Sequence, residues 1–266
     1  MIAKIGSRGY NQNMKQNGEY TLLFMDDDIA VLNKKSGLLT AQDKHDATSP
    51  RLDLIAQKKI GTLCAVHRID KDASGIVIYA RNDSAAAFLR REFEEKRAHL
   101  VYHALVYGRV GFESELVALK VLAESDEKHR TVCNQKFGKP CATHFRALGS
   151  TQAFSWISAE SEIDRAGQTR AHLKHLGLSI VCDSLYGASS RGVFLSEFKR
   201  AWNGDEKKER PLLSRLALHA YSLSIKHPVT AEEMTFVAPY WKDMEAVRNQ
   251  LEKLFGVNPL QNHGGG

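Results

Sequence analysis

The feature that most constrains this chain is the join at residues 67–80. There His67-Arg68-Ile69-Asp70-Lys71-Asp72-Ala73-Ser74-Gly75 runs directly into Ile76-Val77-Ile78-Tyr79-Ala80. The second half is a short β-branched run suited to a buried strand. The first half sets two carboxylates among cations at the edge of that strand. A carboxylate there is costly to desolvate alone, and Arg68 is the guanidinium that can satisfy it. Ser74-Gly75 permits a tight backbone approach. A solvated loop with local ion pairs is the plainer reading of such a composition.

Other short apolar runs make the chain strand-rich. Tyr20-Thr21-Leu22-Leu23-Phe24 and Ile29-Ala30-Val31-Leu32-Asn33 flank the acidic turn Asp26-Asp27-Asp28, and Lys34-Lys35-Ser36-Gly37 is a turn entering Leu38-Leu39. Strands are expected over residues 100–107, 141–148 and 154–160, with a turn at Gly149-Ser150. A hairpin is expected from Tyr221 to Phe236, turning at His227-Pro228. Ala85, Leu89 and Phe93 recur at i, i+4, i+8 and predict an amphipathic helix over residues 84–95, capped by Asn82 or Asp83. A short helix is expected over residues 169–176, stopped by Gly177, and a terminal one over 241–255. In the first, Arg170 and Lys174 share a face; alone, this reads as a basic surface helix whose N–H groups favour an anion. Many strands with few helices predict an α+β fold, a mostly antiparallel mixed sheet with flanking helices.

At 266 residues the chain can form a sizeable core without staples. Its 43% apolar content and modest formal charge of +6 exclude disorder as the dominant state. No apolar run approaches the ~20 residues of a membrane span. The start lacks the apolar stretch of a secretory leader. Four scattered cysteines without a CxxC pair suit reduced thiols in a cytoplasm. Residues 1–19 are expected to be a polar arm, 20–256 one catalytic domain and 257–266 a flexible tail, with the charge-dense stretch 196–210 a surface insertion.

Two stretches together, His67–Gly75 and Arg165-Ala166-Gly167-Gln168-Thr169-Arg170-Ala171-His172-Leu173, resemble the RluA-type family of pseudouridine synthases. The first matches the family's H-R-L-D-x-x-T-S-G; Arg165, Gln168, Arg170, His172 and Leu173 match part of its G-R-x-H-Q-I-R-x-H-L. In the family's order, Lys34-Lys35-Ser36-Gly37-Leu38 is similar to its K-P-x-G-L turn. Asp183-Ser184-Leu185-Tyr186-Gly187 is similar to G-D-x-x-Y-G, and Leu218-His219-Ala220 to L-H-A. The resemblance spans residues 24–239. Departures are Lys35 for proline, Ala73 for threonine, Cys182 for glycine, and Asp164 and Gly167 where the family prefers glycine and histidine. No S4-like RNA-binding module is expected ahead of the matched span.

The resemblance implies an isomerase that turns uridine in ribosomal or transfer RNA into pseudouridine, with no metal or cofactor. It implies Asp70 as the catalytic carboxylate, Arg170 as its cationic partner, and Tyr102 as the aromatic face for the detached uracil. Gln168, His172 and Leu173 follow as substrate-binding residues, Leu173 packing beneath the base. Arg68, Lys71, Arg165 and Lys174 are assigned by position to RNA phosphates. The expected partner is RNA, with no membrane and the chain a monomer. Two other readings compete. A non-catalytic RNA-binding module would have a spoiled site. A zinc hydrolase would draw on His172, His175, Cys182 and Asp183, but it lacks the H-E-x-x-H glutamate.

Overall fold

The computed structural model describes residues 18–161, 165–187 and 191–261. In chain order the first elements are β1 (Tyr20–Met25), β2 (Ile29–Lys34), α1 (Leu52–Ile60), β3 (Cys64–Ala65), β4 (Ser74–Ala80), α2 (Asp83–Glu94) and β5 (His99–Tyr107). Next come β6 (Ser114–Val117), β7 (Val121–Leu122), β8 (Val132–Cys133), β9 (Thr143–Ser150) and β10 (Phe154–Ser161). The last are α3 (Gln168–His175), β11 (Leu218–Lys226), β12 (Glu233–Val237) and α4 (Lys242–Phe255). Among the described residues β1–β2, β2–β4, β3–β4, β11–β12, β9–β10, β6–β9 and β7–β8 pair antiparallel, and β4 with β11 pairs parallel. The α+β expectation holds.

The chain divides into two compact units. The first takes the residues up to Val101, a short piece ending at Ala166, and His219–Pro239. Its sheet runs β1-β2-β4-β11, with β12 on β11 and β3 on β4. Every residue of β2 and β4 is buried, because these central strands are covered on both faces. That is why both read as continuous apolar runs rather than alternating ones. Asn82 caps α2 by accepting the Ala85 N–H at 2.8 Å, as expected. Helix α1 was not anticipated: its apolar residues form no strong stripe and no side chain caps its N-terminus.

Gly75 lies in the parallel pairing, opposite Ala220, with φ +117°. A Cβ there would meet the Ala220 carbonyl oxygen at 2.2 Å. Beside it the Ser74 hydroxyl meets His219 Nδ1 at 2.8 Å, and His219 Nε2 lies 3.0 Å from the Ala238 carbonyl. The carbonyl accepts only, so Nε2 carries the proton and Nδ1 accepts from Ser74. The two motifs separated by about 145 residues are thus locked together. Gly75→Ala is expected to lower unfolding stability by about 2 kcal/mol or more, read from the urea midpoint.

The second unit takes Tyr102–Ser161, Gly167–Leu218 and the residues from Tyr240 onward. Its strands run β5-β10-β9-β6, with the small pair β7-β8. Trp156, wholly buried, stacks on Tyr240 at 5.6 Å. The turn after β9 falls at residues 151–153 rather than at Gly149-Ser150. Gly149 instead lies in a β-bulge opposite Trp156. Of the expected tail, residues 257–261 are described, where Asn258 is buried and donates to Glu252 at 2.8 Å; residues 262–266 lie outside the described residues.

Candidate active site

In the first unit, the Asp70 loop is held through its main chain. Lys34, at the end of a strand with no exposed position, is wholly buried. Its ammonium donates to the carbonyls of Ala73 at 2.7 Å, Leu38 at 2.8 Å and Lys71 at 2.9 Å. The Gly37 N–H also donates to Lys71 O at 2.9 Å, and the Ser36 hydroxyl to Asp72 O at 2.5 Å. Thr40 Oγ1 accepts the Ile69 N–H at 3.3 Å, and Tyr79 fixes Thr40 by donating to its carbonyl at 2.7 Å. Within the loop, the Ala73 N–H closes a turn on Asp70 O at 3.1 Å. The Lys34–Leu38 turn is therefore the mould in which the half-buried Asp70 is set.

His67 opens the same loop. It stacks on Phe93 of α2 with ring centroids 4.7 Å apart, and its Nε2 accepts the Ile78 N–H at 3.0 Å. Burial pushes its pKa down to about 4, so it is neutral near pH 7 and keeps that acceptor. Lys34→Met is expected to lower kcat at least about tenfold and stability by about 2–3 kcal/mol, because the buried carbonyls of Leu38 and Ala73 lose their ammonium donor. Single-turnover kinetics and urea unfolding check the two effects separately.

In the second unit, Arg170 is buried in a bidentate pair with Asp183, its Nε 2.9 Å from Oδ2 and its Nη2 2.6 Å from Oδ1. The guanidinium also lies 4.6 Å from the centre of the Tyr186 ring. Asp183 Oδ1 accepts the N–H groups of Leu185 at 3.0 Å and Tyr186 at 2.9 Å, which shapes the turn that brings Tyr186 round. Burial raises the Asp183 pKa, but the hydrogen bonds and charge of Arg170 outweigh it, so the carboxyl titrates below its usual range. Tyr102, on β5, is 4% exposed.

Helix α3 is not a basic surface helix. All residues from Gln168 to Leu173 are buried, while Lys174 alone of the expected cationic face is exposed. The Gln168 amide donates to Thr143 Oγ1 at 2.9 Å, Ala142 O at 3.0 Å and Ser161 Oγ at 3.2 Å. His172 Nδ1 lies 2.9 Å from the same Thr143 hydroxyl, and its Nε2 3.3 Å from Leu119 O. Burial lowers the pKa of His172 and keeps the ring neutral. Gln168, His172 and Leu173, the expected substrate-binding residues, are all buried, and the bonds of Gln168 and His172 tie down the helix that carries Arg170.

The remaining predicted residues are dispersed. Lys71 donates to Asp46 at 2.9 Å, and Arg68 reaches Asp43 at 3.5 Å. The Lys71 bond holds the Asp46 carboxyl well below its usual range. Arg165 is half-buried, and Asp164 lies outside the described residues. Gly167 caps α3 in the left-handed region at φ +68°, with Tyr186 Oη 2.7 Å from where a Cβ would stand. The zinc set does not assemble among the described residues: the one grouping of metal-ligand type is Asp26, Asp28 and His227. Sequence reasoning missed the roles of Lys34 and Asp183. The signals were a lysine closing an unbroken apolar strand, and the D-x-x-Y-G run.

A family model described as RNA pseudouridylate synthase matches residues 28–175, which include both the Asp70 loop and α3. The dual-specificity RNA pseudouridine synthase RluA of Vibrio vulnificus is 31% identical over 217 residues, covering 78% of this chain and 78% of that protein. An uncharacterized RNA pseudouridine synthase of Chlorobaculum parvum is 30% identical over 258 residues, covering 88% of this chain and 74% of that protein. Among solved structures, Human RNA Pseudouridylate Synthase Domain Containing 4 aligns with a TM-score of 0.66 at 19% identity, over 87% of this chain and 92% of that one, a likeness of fold. The class is thereby set: an isomerase that acts on RNA. The chain belongs to the RNA pseudouridylate synthase family, among its RluA-type members.

Proposed function

We propose that this synthase modifies uridine in ribosomal or transfer RNA, with Asp70 as its catalytic carboxylate. What carries the reading is the loop at residues 69–73, whose main chain is gripped by Lys34, Ser36, Gly37 and Thr40 and whose sequence lies within the matched family span. The reaction breaks the N1–C1′ bond of uridine and makes a C5–C1′ bond; C5 loses a proton and N1 gains one. Nothing is hydrolysed and no electrons are transferred, so the chemistry calls for no metal or cofactor.

The Asp70 carboxylate acts at the ribose, either adding to C1′ or removing a ribose proton. Arg170 supplies the cation, its planar fork already oriented by Asp183. The Tyr102 ring offers a flat face on which the freed uracil turns, and its hydroxyl suits removal of the C5 proton. A uridine within a helix must leave the stack at a cost of a few kcal/mol. Phosphate contacts from Arg68, Lys71, Arg165 and Lys174 offset this. For Arg68 and Lys71 the phosphate displaces exposed or half-exposed carboxylates, whose ion pairs are worth little.

All four cysteines are free thiols, in keeping with work in the cytoplasm, and we read the chain as acting as a monomer. Pseudouridine mapping of total RNA, from cells carrying the wild-type chain or Asp70→Asn, tests the reading. Sites present only with the wild type support it and name the target. Identical maps overturn it.

A further inference from the structure

The turn that follows β8 holds an aromatic ring out into water. Asn134 Oδ1 accepts the N–H groups of Lys136 at 3.0 Å and Phe137 at 2.9 Å, and its carbonyl accepts the Gly138 N–H at 2.9 Å. The base of the turn is closed by Asn134 N to Lys120 O at 2.8 Å and by two bonds between Val121 and Lys139 at 2.8 and 3.0 Å. Gly138 is packed so tightly that a Cβ would stand 2.3 Å from the Asn134 carbonyl. On this rigid support Phe137 is 65% exposed. The Lys136 ammonium lies 5.0 Å from its ring centre, Lys120 and Lys139 are exposed beside the turn, and no carboxylate occurs between Val132 and Pro140.

A single exposed apolar side chain needs no explanation. A ring on a hydrogen-bonded turn, with one cation over its face and two more exposed beside the turn, has a specific complement, a π-face with an anionic backbone. We propose that the Asn134–Lys139 turn is an RNA-docking element, on which Phe137 stacks an unpaired base of the substrate RNA while Lys120, Lys136 and Lys139 take the flanking phosphates. The base is a nucleotide other than the uridine that reacts, so the element adds affinity and a preference for unpaired structure rather than chemistry. This rests on the RNA-modifying reading and deepens it.

The test uses the full chain with two fluorescein-labelled probes, a single-stranded RNA of about 12 nucleotides and a duplex of the same length. Fluorescence anisotropy should show Phe137→Ala weakening single-strand binding about tenfold, with duplex binding within about twofold and Phe137→Trp restoring affinity. Lys136→Ala and Lys139→Ala should each reduce the slope of log affinity against log salt by about 0.7. Circular dichroism confirms that the variants are folded. Unchanged single-strand affinity in Phe137→Ala, or an equal loss on both probes, overturns the proposal. Asp70→Asn separates the two ideas, since it tests turnover and leaves this turn intact.

Discussion

Asp70→Asn is expected to lower pseudouridine formation by at least about a thousandfold while RNA affinity stays within about threefold. The amide has nearly the shape of the carboxylate but no charge, so it neither adds to a ribose carbon nor removes a ribose proton. The loop should survive the change, because its anchors are carbonyls and N–H groups. Lys34 bonds the carbonyls of residues 71 and 73, Ser36 that of residue 72, and Thr40 the N–H of residue 69. Removing a negative charge does not weaken binding of a polyanion. Single-turnover conversion and filter binding on the same preparations give the two numbers. Loss of both together would mean that the side chain is a structural support rather than the reacting group.

Asp183→Ala is expected to cost about 3–5 kcal/mol of stability and most of the activity. It strands the Arg170 guanidinium, which is 6% exposed, and removes the acceptor for the N–H groups of Leu185 and Tyr186. Asp183→Asn retains part of the hydrogen bonding and should fall between the two. The pH dependence has a definite sign. Because Arg170 holds the Asp183 carboxyl below its ordinary range, its contribution is fully present above about pH 3.9, the unfolded value. It is lost as pH falls from there through the lower folded value. Urea unfolding of wild type and Asp183→Asn should therefore differ most near neutrality and converge toward acid. A difference that stays constant down to acid would show that the pair is not what titrates.

The fold was legible wherever an element satisfies itself locally. β2 and β4 announce themselves as unbroken apolar runs, and α2 by its stripe at Ala85 and Leu89 and its Asn82 cap. Helix α1 was not legible, because it lacks both a side-chain cap and a strong stripe. Within the site, the residue types could be read but not which way they face. Arg170, Gln168 and His172 look like a polar, RNA-facing set on a short helix. Burial on several sides of α3 turns them inward, where Thr143, Ser161 and Asp183 complete their bonding. Those partners are at least 7 residues away along the chain, so no local pattern discloses them. The same is true of Lys34, which would ordinarily be assigned to solvent and is instead the donor at the centre of a ring of carbonyls.

That ring of carbonyls bears on how freely the segment can drift in sequence. What Lys34 uses at position 73 is the peptide oxygen, which every amino acid supplies. The half-exposed side chains at positions 71 and 72 can thus be exchanged while the loop that carries the neighbouring acid keeps its main-chain anchors, a freedom the fully buried Ala73 does not share.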